Sequence, residues 1–197
     1  GIQFYSNTAG PASLINVDSP TATTTFTAGS LNFGGLLRAT AVGESIALSA
    51  SANTFVRGAP GSGGINFVNI TVNAGGTATF QAGATVTGAL NITDTLVLNG
   101  DLGTTTFTAA SISLGPVSSP LAGQTLALNS AGAKALNGTV GSAIARVGTL
   151  VLSGGGTTSI GASVFVASDF TLSSATTITG ATILDTLGNF ANNAAVN

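Results

Sequence analysis

The sequence contains an internal repeat of about 80 residues. Residues 23–30 (TTTFTAGS) recur as 104–111 (TTTFTAAS), an offset of 81, and residues 43–100 align with 123–180 at an offset of 80. Apolar residues fall on apolar residues, and glycine pairs fall on glycine pairs. A β-sandwich has no reason to repeat in register, whereas a solenoid does, because each coil stacks on the last and needs the same inward positions.

Short runs of alternating apolar and polar residues fill the space between the glycines. They include SIAL at 45–48, NITV at 69–72, TLVL at 95–98 and TLVL again at 149–152. Val, Ile, Thr and Phe suit pleated strands, and the Gly, Asn, Ser and Asp residues that separate the runs suit tight turns. The pattern predicts an all-β chain of many short strands.

Strands and repeat together predict a parallel β-helix, with a β-sandwich as the alternative fold. At about 20 residues per coil, the 80-residue repeat corresponds to about four coils and the chain to about ten. A strand spacing of about 4.8 Å then gives a rod about 45–50 Å long. We expect a single solenoid over residues 1–184, made of repeats 23–103 and 104–184, followed by a cap or linker over 185–197.

The composition excludes several classes of site. The chain has no Cys and no His, so it has no disulfide, no metal site built on those residues and no Ser-His-Asp or Cys-His nucleophile. Charged residues make up 5 %, the net charge is −2, and the four basic residues are far apart in sequence: Arg38, Arg57, Lys134 and Arg146. We therefore expect no nucleic-acid partner, and no apolar run approaches the roughly 20 residues of a transmembrane helix.

One stretch of the second repeat resembles a known family. The segments LALNSAGAKALNGTVG at 126–141 and LVLSGGGTTSI at 150–160 are similar to repeats of filamentous-haemagglutinin-like and autotransporter-passenger bacterial surface proteins, and residues 69–87 show the same block more loosely. The resemblance implies a right-handed parallel β-helix, secretion by a type V route and an adhesive or fibrous role. The amino-terminal secretion signature of the two-partner branch is not visible here.

The carboxylates are candidates for catalytic groups, because several β-helices cleave polysaccharides with clustered acids. Asp94 and Asp101 are the closest pair in sequence and flank one predicted turn. A glycosidase needs two carboxyl groups about 5–10 Å apart in a cleft. Turn residues that bond their own backbone are the better interpretation, so we predict no catalytic residue, no metal, no cofactor and no enzymatic activity.

Threonine pairs and glycine-rich loops mark possible binding surfaces. Thr-x-Thr pairs begin at 77, 85, 93 and 104, spacings too uneven for one ice-binding face. The longest Pro/Gly loops, residues 57–64 and 115–123, are where a glycan or ice ligand would bind, if the solenoid carries such a ligand.

The leading hypothesis is a structural protein, secreted or on a bacterial cell surface. It would serve as an adhesin shaft or as a self-assembling filament, with a host or matrix glycan or protein as a further partner. A charge-poor surface offers little like-charge repulsion against lateral packing or end-to-end stacking. Residue 1 is Gly, which suggests a processed chain or a fragment. The alternatives are a carbohydrate-binding or carbohydrate-cleaving β-helix and, less favoured, an ice-binding protein.

Overall fold

The computed structural model describes residues 3–4, 14–19, 22–61, 64–99, 103–179 and 182–194. Its regular elements in these ranges are all β-strands. In chain order they are β1 (Gln3–Phe4), β2 (Leu14–Val17), β3 (Thr23–Ala28), β4 (Leu31–Phe33), β5 (Leu36–Ala39), β6 (Ser45–Ala50), β7 (Thr54–Val56), β8 (Ile70–Ala74), β9 (Thr77–Phe80), β10 (Gly83–Thr85), β11 (Ala89–Ile92), β12 (Thr95–Val97), β13 (Thr104–Ala109), β14 (Ser111–Leu114), β15 (Val117–Ser118), β16 (Thr125–Ser130), β17 (Lys134–Leu136), β18 (Thr149–Ser153), β19 (Thr158–Ile160), β20 (Val164–Val166), β21 (Phe170–Leu172), β22 (Thr176–Ile178), β23 (Leu184–Thr186) and β24 (Phe190–Asn192).

The strands stack in parallel on three faces that the chain visits in turn, which confirms the predicted β-solenoid. The first face holds β1-β4-β7-β9-β12-β15 and then β20-β23, linked through bridges of Val140 to Val117 and Val164. The second holds β2-β5 and β10-β13-β16-β18-β21-β24, and the third is one sheet of eight, β3-β6-β8-β11-β14-β17-β19-β22. Successive strands in each sheet pair in parallel, so no antiparallel two-layer sandwich forms from them.

The number of turns is about eight, not the expected ten. Partners on the third face are separated by 22, 24, 20, 22, 22, 24 and 18 residues, so most turns are longer than the 20 residues assumed. The extra residues lie in the corners between faces. The seven intervals between eight strands, at about 4.8 Å each, span about 34 Å along the axis.

The 80-residue repeat does not return to the same face. The TTTFTA strand β3 lies on the third face, whereas its copy β13 lies on the second. The same displacement relates β6 to β16 and β8 to β18. One repeat therefore covers three full turns plus two of the three faces of the next turn. Equivalent residues of the two repeats nevertheless point the same way. Phe26 and Phe107 both face the interior, and Leu48 and Leu128 are both buried.

The core is a set of side-chain columns that run along the axis. Position by position, each inward residue contacts its counterpart one turn away, as Leu126, Leu150 and Phe170 do on the second face. Phe80 and Phe107 meet edge to face, with ring centroids 5.6 Å apart. Such stacking buries apolar surface continuously, which stabilises a chain with few ion pairs.

Two hydroxyl groups point into the apolar core without a hydrogen-bond partner among the described residues. Thr54 on β7 and Thr105 on β13 are buried, and neither Oγ1 has a hydrogen-bond partner. Burying an unpaired hydroxyl costs about 1–3 kcal/mol in protein mutational data. Both positions therefore lower the stability that the surrounding columns provide.

Candidate functional site

Of the two acidic residues considered as catalytic groups, Asp94 and Asp101, the structure describes only Asp94. Asp94 is 8 % exposed and lies in the bend between β11 and β12. Asp101 lies outside the described residues, so the pair has no measurable separation. Residues 3–4, 14–19, 22–61, 64–99, 103–179 and 182–194 include no group of three or more His, Cys, Asp or Glu side chains that could hold a metal ion.

Glu44 is fully buried and organises a corner of the second turn. Its carboxylate accepts hydrogen bonds from the main-chain N–H of Ser19 at 2.8 Å and of Thr40 at 2.7 Å, and from the Thr40 hydroxyl at 3.2 Å. Burial raises the pKa of Glu44, but these bonds and one from the Ala41 N–H outweigh it and leave the pKa below its ordinary 4.5. The carboxylate therefore ties two turns together.

Gln124 occupies the position equivalent to Glu44 in the second repeat. Each follows a glycine with a positive φ, Gly43 at 103° and Gly123 at 78°. The main-chain carbonyls of both accept a 2.7 Å hydrogen bond from the next turn. Sequence alignment paired these residues but gave no reason to expect the side chains to be buried, because Glu and Gln are mostly exposed.

Lys134 is a second charged residue that is fully buried, and sequence reasoning missed it. It begins β17 and occupies an inward position between Ile112 and Thr158 on the third face. Its Nζ donates to the main-chain oxygen of Ser130 at 3.4 Å. Burial lowers the pKa of the Lys134 amine from its ordinary 10.5. The alternation of its strand would have placed it inward, but a lysine is expected at the surface.

Beyond Lys134 the same corner contains buried hydroxyls that satisfy one another. The hydroxyls of Thr158 and Ser174 lie 2.8 Å apart, and the Thr176 hydroxyl donates to the Ser174 carbonyl at 2.8 Å. The Ser130 hydroxyl donates to Ala110 O at 2.8 Å. This polar corner is sealed from solvent, so it serves packing and offers no surface for a substrate.

An ion pair between Arg146 and Asp185 links two of the last turns. Arg146 Nη2 lies 2.7 Å from Asp185 Oδ2, and its Nη1 donates to the Asp185 carbonyl at 3.2 Å. The hydrogen bond from Arg146 lowers the pKa of Asp185 and raises that of Arg146. Asp185 was expected to open a cap or linker, but it sits on β23, paired with β20, so strand structure continues past residue 184.

The outward surface of the third face is small and uncharged. Its central column holds one side chain per turn, in the order Thr25, Ala47, Thr71, Asn91, Ser113, Ala135, Ser159 and Thr177. Three of the eight are threonine, which is not the regular threonine ladder that ice binding needs. The Thr-x-Thr pairs are also dispersed, since Thr77 and Thr79 lie on the first face and Thr104 and Thr106 on the second.

The two loops expected to bind ligands are partly buried in their described parts, although residues 120–123 form an exposed turn. Strand β15 lies inside 115–123, where the Ser119 hydroxyl donates to Leu121 O at 2.9 Å. In 57–64, Pro60 and Gly61 are buried, and residues 62–63 lie outside the described chain. A further side loop runs from 141 to 148, with Ile144 fully exposed at its tip.

Three exposed large apolar side chains, Ile183, Leu187 and Phe190, lie in the last described turn of the solenoid. We define the end surface as strands β22, β23 and β24 with the residues between them. Phe190 is 48 % exposed there, whereas its partner one turn earlier, Phe170, is 1 % exposed. A cleft of about 270 Å³ lies among Phe170, Leu184, Thr186 and Phe190.

Comparisons with known proteins add no assignment. No family model, no curated protein and no solved structure matches the chain. A search of the described residues for a helix of the length and hydropathy that a membrane crossing requires finds none.

Proposed function

We propose that this chain is a rigid structural shaft in a secreted or cell-surface protein. The observation that carries the proposal is the unbroken parallel stacking of the third face, eight strands with a buried inward column. Each turn is held to the next by main-chain hydrogen bonds and by side chains of the core. Such a body keeps its two ends at a fixed separation, which is what a shaft must do.

Surface chemistry also supports a shaft over a binding module or an enzyme. The third face presents hydroxyls, amides and methyl groups outward. The charged side chains of Glu44 and Lys134 are buried and hydrogen-bonded within the fold. The resemblance of residues 126–160 to repeats of bacterial adhesins points to the same class of role and to an extracellular location.

A distance measurement tests the shaft. The chain has no cysteine, so Ala47→Cys and Ser159→Cys introduce two unique labelling sites in the outward column of the third face. They are five strand intervals apart, which corresponds to about 24 Å between Cα atoms. Double electron–electron resonance on the spin-labelled protein is expected to give one narrow distribution near that distance.

Dilution with unlabelled protein keeps distances between molecules out of the measurement. A broad distribution, or several maxima, would contradict a rigid shaft. Glycan-array binding or polysaccharide cleavage that disappears in Asp94→Asn would instead favour the carbohydrate alternative. The shaft proposal expects wild type and Asp94→Asn to be equally inactive in both assays.

A further inference from the structure

Asn137 lies exposed in the bend that follows β17, at the edge of the third face. Its side-chain Nδ2 donates a 2.9 Å hydrogen bond to Ser113 Oγ, and its main-chain N–H donates to Leu114 O at 2.8 Å. Among the described residues no donor reaches its Oδ1. The side-chain amide is therefore held by one bond and is otherwise open to water.

The residue after Asn137 is Gly138, and the stacking of the turns requires a glycine there. A Cβ at this position would overlap the main chain of Gly115 and Pro116 in the previous turn. Main-chain atoms of a packed corner cannot move aside as the end of a side chain can, so no larger residue fits. The fold therefore places a residue without a side chain directly after an exposed asparagine.

The main-chain N–H of Gly138 has no acceptor in the described parts of the chain, whereas the N–H of Asn137 donates to Leu114 O. No Cβ shields the Gly138 nitrogen from the neighbouring side chain. This nitrogen can reach the Asn137 Cγ by closing a five-membered ring, and reactions between groups held in one molecule are strongly accelerated. A nucleophile and an electrophilic carbon are thus adjacent on the surface.

Asn129 shows what the fold does to an asparagine inside a strand. It is exposed, as Asn137 is, and a small residue, Ser130, follows it. It lies within β16, however, and is paired on both sides, with Thr108 in β13 and Ser153 in β18. An extended chain held on both sides keeps the next main-chain nitrogen away from the side chain. The two sites differ in backbone freedom, not in exposure.

From this arrangement we propose that Asn137 is a site of spontaneous deamidation in the folded protein. The Gly138 nitrogen loses its proton and bonds to Asn137 Cγ, the Cγ–Nδ2 bond breaks, and ammonia leaves. Water then opens the resulting succinimide. Attack at Cγ gives aspartate, and attack at the main-chain carbonyl gives isoaspartate. We confine the proposal to this pair, because the other Asn-Gly pair, 99–100, includes a residue outside the described chain.

Either product changes the edge of the third face. The eight strands of that face have no outward charged side chain, and both products add a carboxylate beside them. Isoaspartate also adds one methylene to the main chain, close to the 2.8 Å hydrogen bond from Val117 N to Thr139 O. The modification therefore alters the charge of this edge, and in one product it also alters the stacking of two turns.

Peptide mass spectrometry tests the site in the intact chain. Trypsin cleaves after Lys134 and Arg146, so one peptide contains Asn137 and no other asparagine. Folded protein and protein unfolded in guanidinium are incubated at mildly alkaline pH and digested at mildly acidic pH. We expect the folded and unfolded rates at Asn137 to agree within about tenfold, because the bend gives little protection. Isoaspartyl methyltransferase labelling identifies the isoaspartate fraction.

Asn129 is the internal control, located by tandem mass spectrometry. It should convert in the unfolded chain and stay unmodified in the folded chain over the same period. Asn137→Gln should abolish conversion in the tryptic peptide, because its longer side chain cannot close the five-membered ring.

An Asn137 that converts only in guanidinium would overturn the proposal. Equal conversion of Asn129 and Asn137 in the folded sample would also overturn it, because the reaction would then proceed through unfolding. The inference stands apart from the shaft. The spin-label distance between residues 47 and 159 does not involve residue 137, so failure at Asn137 leaves the proposed function unaffected.

Discussion

Gly156 lies directly against the main chain of Gly132 one turn earlier, so closely that a Cβ at Gly156 would overlap the Gly132 carbonyl oxygen and carbon. Its neighbour Gly155 is different, because the nearest atom to a Cβ there, Ala131 O, is 3.9 Å away. The corner therefore has no room for a side chain at Gly156 but has room for one at the adjacent Gly155.

We predict that Gly156→Ala lowers the free energy of unfolding by about 1–3 kcal/mol, the usual cost of forcing atoms into a packed site. Gly155→Ala should stay within about 0.5 kcal/mol of the wild type. Guanidinium unfolding followed by circular dichroism measures both. Equal effects of the two substitutions would contradict the tight stacking of this corner.

Thr105→Val tests the unpaired hydroxyl in the core. Valine keeps the shape of threonine and removes the oxygen that finds no partner, so we expect a gain of about 1 kcal/mol in stability. Thr106→Val is the matched control, because Thr106 is outward and exposed. It should change stability by less than about 0.5 kcal/mol. A loss of stability in Thr105→Val would show that its hydroxyl is satisfied in solution.

Lys134→Met should stabilise the fold near neutral pH. Burial lowers the folded-state pKa of this amine below 10.5, so between the two pKa values the unfolded state binds more protons and wild-type stability rises with pH. Methionine removes the buried amine and should raise stability by about 1–2 kcal/mol at pH 7.

The advantage of Lys134→Met should narrow as the pH approaches 10.5. Arg57→Met makes the same change in net charge at an exposed position and should show neither the gain nor the narrowing. Thermal unfolding between pH 7 and 10.5 measures the difference. A constant gap between Lys134→Met and wild type would argue against a titrating buried amine.

Glu44→Gln should destabilise the second turn. The groups that contact the Glu44 carboxylate are all hydrogen-bond donors. The NH₂ group of a glutamine would face some of these donors, so we expect the free energy of unfolding to fall by about 1–3 kcal/mol at pH 7. The pKa of Glu44 is lowered in the folded state. Its contribution is therefore fully present above the ordinary pKa of 4.5 and is lost as the pH falls through the folded value.

The gap between wild type and Glu44→Gln should accordingly close in acid. Denaturant unfolding at pH 7, 4.5 and 3 follows it. Asp18→Asn is the control, since Asp18 is exposed and its Oδ1 lies 3.3 Å from the Thr40 hydroxyl, without a main-chain donor of its own among the described residues. A gap that is unchanged at pH 3 would mean that the carboxylate charge contributes nothing at this corner.

Much of the fold could be predicted because alternation and repeat agree. The alternation in 69–72 and 149–152 identifies Ile70, Val72, Leu150 and Leu152 as inward, and all four are buried. The number of turns could not be predicted, because corner lengths vary by several residues without changing the strand pattern. The face on which each repeat lies depends on the sum of those corner lengths.

The functional surface was less accessible to sequence reasoning. Asp94 lies in a bend, as expected of a turn residue. Lysine is usually a surface residue, and only the register of β17 shows that the Lys134 side chain points inward. Among the described strands β24 pairs with β21 alone, and no local sequence pattern at Phe190 differs from that at Phe170. Sequence can show that turns stack, but not where stacking leaves an edge uncovered.

The displacement of each repeat by two faces has a consequence for anything that recognises it. In an array of such repeats, three copies would wind through eleven turns before a motif faced its starting direction again. Neighbouring copies of the same motif would point to different sides of the shaft. A flat partner, such as a membrane or a mineral surface, would therefore contact every third copy. The distance between its contacts along the axis would be eleven turns, not the length of one repeat.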